Sequence, residues 1–307
     1  MDGDVTITTD GTVLENKDIY GFVKVQAADV TIRNCYIHGR DTGGTKVQYA
    51  LIYSPNASVQ NLVIERCTIK ADTPYYWLNG VQGGNFTATR CDISQGVDCV
   101  DPQGDNWAVD GCYLHDLAFF DGSTGTEHGS DSRFPGWTHN DGVQVAYGNN
   151  GRIRGCNIQG YFSADVGTPE TAMNNTTDAG GRNFPDRNYA HGIIATPDTG
   201  VITNLLITEN WIEGGEVCVQ FTEGSYAGNT ATITGNRFGL DQKPGYTGNP
   251  ANPYHVISFV DSSWTWSVDT VSNVYDSVSS VPADLQGTSI GAYAYDDGTQ
   301  TNWQVTK

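Results

Sequence analysis

The chain has 307 residues, with 35 Asp and Glu against 16 Lys and Arg, a net charge of −19 and a pI near 4.4. So acidic a surface repels phosphate backbones and anionic membranes, which argues against nucleic-acid binding and membrane insertion and favours neutral glycans over anionic ones unless Ca²⁺ bridges them. Only 17% of residues are charged, Gly is plentiful at 37, and no apolar run is long enough to span a bilayer.

In chain order, a nine-residue phrase recurs: VLENKDIYG, TIRNCYIHG, VIERCTIKA, TATRCDISQ, AVDGCYLHD, RIRGCNIQG, LITENWIEG, TITGNRFGL and DTVSNVYDS. One column reads Lys17, Cys35, Cys67, Cys91, Cys112, Cys156, Asn210, Asn236, Asn273, and two residues on lies an apolar column running from Ile19 and Ile37 to Phe238 and Tyr275. Apolar alternation on both sides of a polar pair, as in Val30, Ile32, Cys35 and Ile37, fits two short strands around a corner. Units of this kind cannot bury an apolar face alone and must stack. The phrase predicts an all-β fold, a single-stranded parallel β-helix of about nine or more coils, roughly 40 Å long at the spacing of paired strands. Residues 1–275 form the helix with N-terminal cap strands, and 276–307 the C-terminal cap or last strands. The column cysteines are expected as buried free thiols, because stacked parallel Cβ vectors suit a disulfide poorly.

Excess residues between phrases fall after the phrase, at 40–49, 71–78, 115–138, 161–188, 240–254 and 277–287, so loops project from one edge. Long loops on a rigid scaffold commonly carry function. Their aromatics, among them Tyr76, Trp77 and Trp137, suit packing against the apolar faces of sugar rings.

A second strand type follows each insertion: YALIYS, LNGVQG, VDCVDP, NDGVQV, AHGIIA, EVCVQF, HVISFV. If Val143 and Val145 face inward, an outward column runs Tyr53, Gln82, Asp101, Gln144, Ile194, Gln220, Ser258, a groove floor in which Gln82, Gln144 and Gln220 are expected to touch substrate. At the strand entrances stand Asn79, Asp98, Asp141, His191 and His255. The sequence leaves three uses open for this cluster. Asp98, Asp101, His139, Asp141 and His191 can serve as acid and base on a glycosidic bond. Asp98, Asp101 and Asp141 can hold Ca²⁺ through oxygen. Or Asp and Asn at strand entrances cap corners by accepting backbone N–H groups.

The VTIRNCYIHG-type coils together with HNDGVQV resemble right-handed parallel β-helix proteins of the pectate-lyase-like superfamily. The opening TITTDGTVLENKDIYGFVKVQAADVTIRNCYIHG is similar to minor tail or tail-spike proteins of phages infecting actinobacteria. That resemblance implies a virion tail protein, a homotrimer that meets host cell-surface polysaccharide along its loop-bearing edge and contacts other tail proteins. It also leaves room for a depolymerase, either a polysaccharide lyase or a glycoside hydrolase, and for a structural component without glycan binding. The start MDGDVTITTDG carries no basic-then-apolar leader, which predicts synthesis in the host cytoplasm without a signal peptide. Polygalacturonase-type hydrolases carry NTD, DD, HG and RIK on successive coils. Here His139-Asn140-Asp141, Val97-Asp98-Cys99 and Ala190-His191-Gly192 resemble the first three, but Asp98 precedes Asp141, and the dibasic run Arg152-Ile153-Arg154 lies on a different strand.

Overall fold

Each coil turns twice through residues in the left-handed region. Asn16, Asn34, Arg66, Arg90, Gly111, Gly155, Glu209 and Gly235, all at positive φ, stand immediately before the Cys/Asn column. Asp29, Asn61, Asn85, Asn106, Asn150 and Asn204, with φ between 51° and 61°, stand six residues before it. Gly and Asn tolerate this conformation best. Between these corners the backbone is largely extended, and the described residues of the computed structural model form three long sheets beside three two-stranded ones. One has 11 strands running from Val5–Ile7 through Ala50–Ser54, Asn79–Gly83, Val100–Pro102, Asn140–Val145, Ala190–Ala195 and Val217–Phe221 to Trp303–Gln304, and two have nine strands each. Successive coils pair in parallel throughout, apart from the final antiparallel pairing of Tyr293–Ala294 with Trp303–Gln304. The chain is a right-handed parallel β-helix. The structure describes residues 1–120 except 44 and 56–58, residues 138–167, 190–239 except 216 and 223, and the shorter stretches 176–177, 183–184, 256–259, 264–268, 272–277, 286–287, 289–290, 293–294 and 303–304.

The recurring phrase supplies the two nine-stranded sheets and the second strand type the large one, to be called the floor sheet. Ile19, Ile32, Ile37, Ile64, Ile69, Ile93, Ile153, Ile158, Ile207 and Ile212 are fully buried between them. All seven cysteines are buried and free. In the column, the Cys112 sulfur accepts the Cys91 N–H at 3.3 Å and donates to the Ala88 carbonyl at 3.5 Å. Asn236 does the same with oxygen and nitrogen: Oδ1 accepts the Asn210 N–H at 3.0 Å, and Nδ2 donates to the Ile207 carbonyl at 3.0 Å. The thiols therefore bond along the ladder as well as packing against apolar neighbours. Lys17, the head of the column, is exposed, since an ammonium stays in water.

Two insertions leave the barrel side by side. Strand Leu117–Phe119 pairs in parallel with Phe162–Gly167, and Thr138 closes the first of them by bonding Phe120 through both N–H and hydroxyl. Asn140, fully buried, donates to the carbonyls of Val97 and Ala118. This anchors the insertion to the floor sheet immediately before Asp141. Among the described residues, no helix is long and apolar enough to cross a membrane.

Candidate functional site

Three entrance residues of the floor sheet line up across adjacent coils. Asn79 Oδ1 accepts the Asp98 N–H at 3.1 Å, Asp98 Oδ1 accepts the Asp141 N–H at 2.9 Å, and Asp141 stands opposite His191 in register. Asn79 and Asp98 therefore cap corners, as short polar side chains do at such positions. Asp141 uses its carboxylate differently. Oδ2 accepts from His139 Nδ1 at 2.7 Å and Oδ1 from His191 Nδ1 at 3.0 Å, and the two imidazoles stack with centroids 4.9 Å apart. The glycines that follow make this close approach possible: a Cβ at Gly142 would run into the Gly192 carbonyl, and one at Gly192 would meet the Cys218 carbonyl at 2.7 Å.

Burial sets the charges here. Asp98 is held well above the usual carboxylate range, first by desolvation and then by Asp141 and Asp101. Asp141 is also fully desolvated, but His139 and His191 outweigh that and bring it below its ordinary value. Asp101 is pushed up to about 6 by desolvation, against hydrogen bonds from Gln82 and Gln103 that favour its ionised form. Its Oδ2 accepts from Asn79 Nδ2 at 3.2 Å and from the Gln82 amide, and its Oδ1 from Gln103 Nε2 at 2.6 Å.

Beside Asp101 opens a groove of about 730 Å³, lined by Tyr49, Tyr53, Tyr147, Gln82, Gln103 and Asp105 among others. Tyr53 faces Gln82, which faces Asp101, in register on neighbouring strands, and of the outward column expected as a floor Tyr53 and Gln82 line this groove. The placement differs from expectation in one respect. Most of the lining lies at the other end of the strands from the long insertions, where tight turns supply Ser54, Pro55, Gly84, Asn85, Gln103 and Gly104. Tyr49, Gln103, Asp105 and Tyr147 were not singled out in the sequence. The signal for them is the residues just before and after each floor strand, which become neighbours only when coils stack.

The other expected contacts are distributed unevenly. Trp77 is half-buried against the core, with Tyr76 at its edge (4.9 Å, 76°), and Lys46 Nζ lies over both Trp77 and Tyr49. This joins that loop to the groove through the Tyr49–Tyr53 pair, 5.8 Å apart. Gln144 is half-buried on the floor next to Asp101. Gln220 stands one strand further on than Ile194, which is buried and interrupts the polar column. Trp137 and His255 lie outside the described residues. The expected Ca²⁺ set does not converge: Asp98 caps the Asp141 N–H, and Asp101 is occupied by three amides. Among the described residues, the one group whose donor atoms lie together is His139, Asp141 and His191.

No family model and no curated protein matches the chain. Among solved structures it is similar to the full-length tailspike protein 2 from Escherichia coli O157:H7 bacteriophage CAB120, with 14% identity and a TM-score of 0.44 over 86% of this chain and 34% of that one. It is also similar to the Dettilon tailspike protein, with 12% identity and a TM-score of 0.34 over 96% of this chain and 61% of that one. The chain thus spans about a third and about three-fifths of the length of these two proteins, and its own strand topology defines it as a right-handed parallel β-helix.

Proposed function

We propose that the chain is the glycan-engaging β-helix of a phage tail-spike type protein, holding a neutral host cell-surface polysaccharide on the floor sheet. The groove carries this reading. Tyr49, Tyr53 and Tyr147 offer ring faces, while Gln82, Gln103 and Asp105 offer hydrogen bonds, and the lining itself carries no cation, Lys46 being engaged with the Tyr49 ring and hydroxyl at its edge. The net charge of −19 disfavours acidic polymers in the same way. Location in the virion tail, contact with other tail proteins and a homotrimer belong to the same reading and rest on the sequence resemblance. Tyr53→Ala and Tyr147→Ala should each weaken binding to host envelope polysaccharide about tenfold, the loss of one stacked ring. Tyr226→Ala, at an exposed site away from the groove lining, should leave it unchanged. Binding that is indifferent to both groove variants overturns the proposal.

A depolymerase is a second reading, favoured by Asp101, a buried carboxyl held by the groove-lining Gln82 and Gln103 and pushed up to about 6, the range of a proton donor. In this reading Asp98 is taken up as a cap, Asp141 orients His139 and His191, and Asp101→Asn abolishes release of reducing ends while glycan binding persists. Fragment release by Asp101→Asn at the wild-type rate removes Asp101 from the chemistry.

A further inference from the structure

His139 and Asp141 are two residues apart on an extended segment, so their side chains share a face, and Asp141 pairs in register with His191 on the next coil. Three donor atoms thereby converge: one ring nitrogen of His139, a carboxylate oxygen of Asp141 and one ring nitrogen of His191, all within 4.8 Å of one another. The Asp141 and His191 side chains are 0% and 3% exposed, whereas that of His139 is 38% exposed. The cluster is therefore a buried carboxylate and imidazole reached from solvent past one half-open ring.

We propose that His139, Asp141 and His191 form a binding site for a divalent transition-metal ion such as Zn²⁺, Co²⁺ or Ni²⁺. Two imidazoles and one carboxylate are the donor set that such ions prefer, with open positions left for water, whereas Ca²⁺ asks for six to eight oxygens. His139 Nδ1 lies 2.7 Å from Asp141 Oδ2 and His191 Nδ1 3.0 Å from Asp141 Oδ1, so an ion held at about 2.1 Å by both rings is met by either or both oxygens of the one carboxylate. On binding, the ion takes the place of the two Nδ1 protons that now point at Asp141. The ion clamps strand Asn140–Val145 to strand Ala190–Ala195 at the points where the two longest insertions return to the floor sheet. The site is separate from the groove, so the proposal stands independently of the glycan reading.

The test uses the full chain, purified without a histidine tag and stripped with EDTA, then titrated calorimetrically with Co²⁺, Zn²⁺ and Ca²⁺ in turn. One equivalent of Co²⁺ should bind with visible d–d absorption, Zn²⁺ should compete for it and raise Tm, and Ca²⁺ should do neither. His139→Gln, at a half-exposed position that leaves folding intact by circular dichroism, and Asp141→Asn should each weaken Co²⁺ at least tenfold. His38→Gln and His115→Gln remove two imidazoles likewise held between carboxylates, Asp18 with Asp72 and Asp92 with Asp116, and should bind like wild type. The proposal is overturned by absence of saturable Co²⁺ binding, by preference for Ca²⁺, by undiminished binding in folded His139→Gln, or by loss of binding in His38→Gln or His115→Gln.

Discussion

The interior column and the entrance line of the floor sheet use one device with different chemistry. In both, a side-chain acceptor on one coil takes the backbone N–H of an adjacent coil: the preceding one in the column, Cys112 from Cys91 and Asn236 from Asn210, and the following one at the entrance, Asn79 from Asp98 and Asp98 from Asp141. The column is neutral along its described Cys and Asn positions and sealed between the sheets. The entrance line places carboxylates in the same capping role, and in Asp141 it turns one of them toward two imidazoles. A corner cap and a chemical site are thus neighbouring states of one position, separated by whether the group is ionisable and by what stands opposite it.

The largest expected effect lies in the column. Asn236→Ala removes the acceptor for the Asn210 N–H and amide and the donor to the Ile207 carbonyl, all buried. At one to three kcal/mol per stranded group, it should cost about 4 kcal/mol in denaturant unfolding. A loss below about 1 kcal/mol would mean that the ladder is packing rather than hydrogen bonding.

Next comes the pH dependence of the entrance region. Asp101 keeps its proton in the folded chain up to about pH 6, whereas its ordinary value is 3.8. Between those values the folded state binds more protons than the unfolded state, so stability falls as pH rises, by about 3 kcal/mol in all from this group. Asp101→Asn should flatten that slope and be the more stable protein at pH 7, as read from Tm across pH 4 to 7. An unchanged slope would place the titrating group elsewhere.

The smallest effects test whether thiol and amide are interchangeable in the ladder. Cys112→Ala should cost about 1 kcal/mol, since sulfur bonds weakly and the cavity is small. Cys156→Asn extends the amide run by one coil, because Cys156 already takes its N–H bond to Asn210 Oδ1 and donates to the Val109 carbonyl. It should change stability by less than about 1 kcal/mol. A large penalty would show that the Cys half is fitted to thiol volume.

Much of this was legible in the residues themselves. The phrase set the corner, the inward isoleucines and the Cys-to-Asn column, because strand alternation and a left-handed corner are local properties that repeat at each coil. HNDG and AHG marked the entrance, since Gly142 next to Asp141 and Gly192 next to His191 answer to a backbone approach from the next coil. The corner asparagines Asn61, Asn85, Asn106, Asn150 and Asn204, some of them bonded side chain to side chain, are equally regular.

What sequence could not decide was which of several acidic residues would be spent on the backbone and which left for chemistry. Asp98 and Asp141 stand at equivalent positions, yet one accepts an N–H and the other two imidazoles, because only Asp141 has a histidine two residues before it and another directly across the ladder. The rest of the groove lining followed the same rule. Tyr49 and Tyr53 on one coil, Gln103 and Tyr147 are brought together by coil stacking, which sets parallel strands about 4.8 Å apart whatever the length of chain between them.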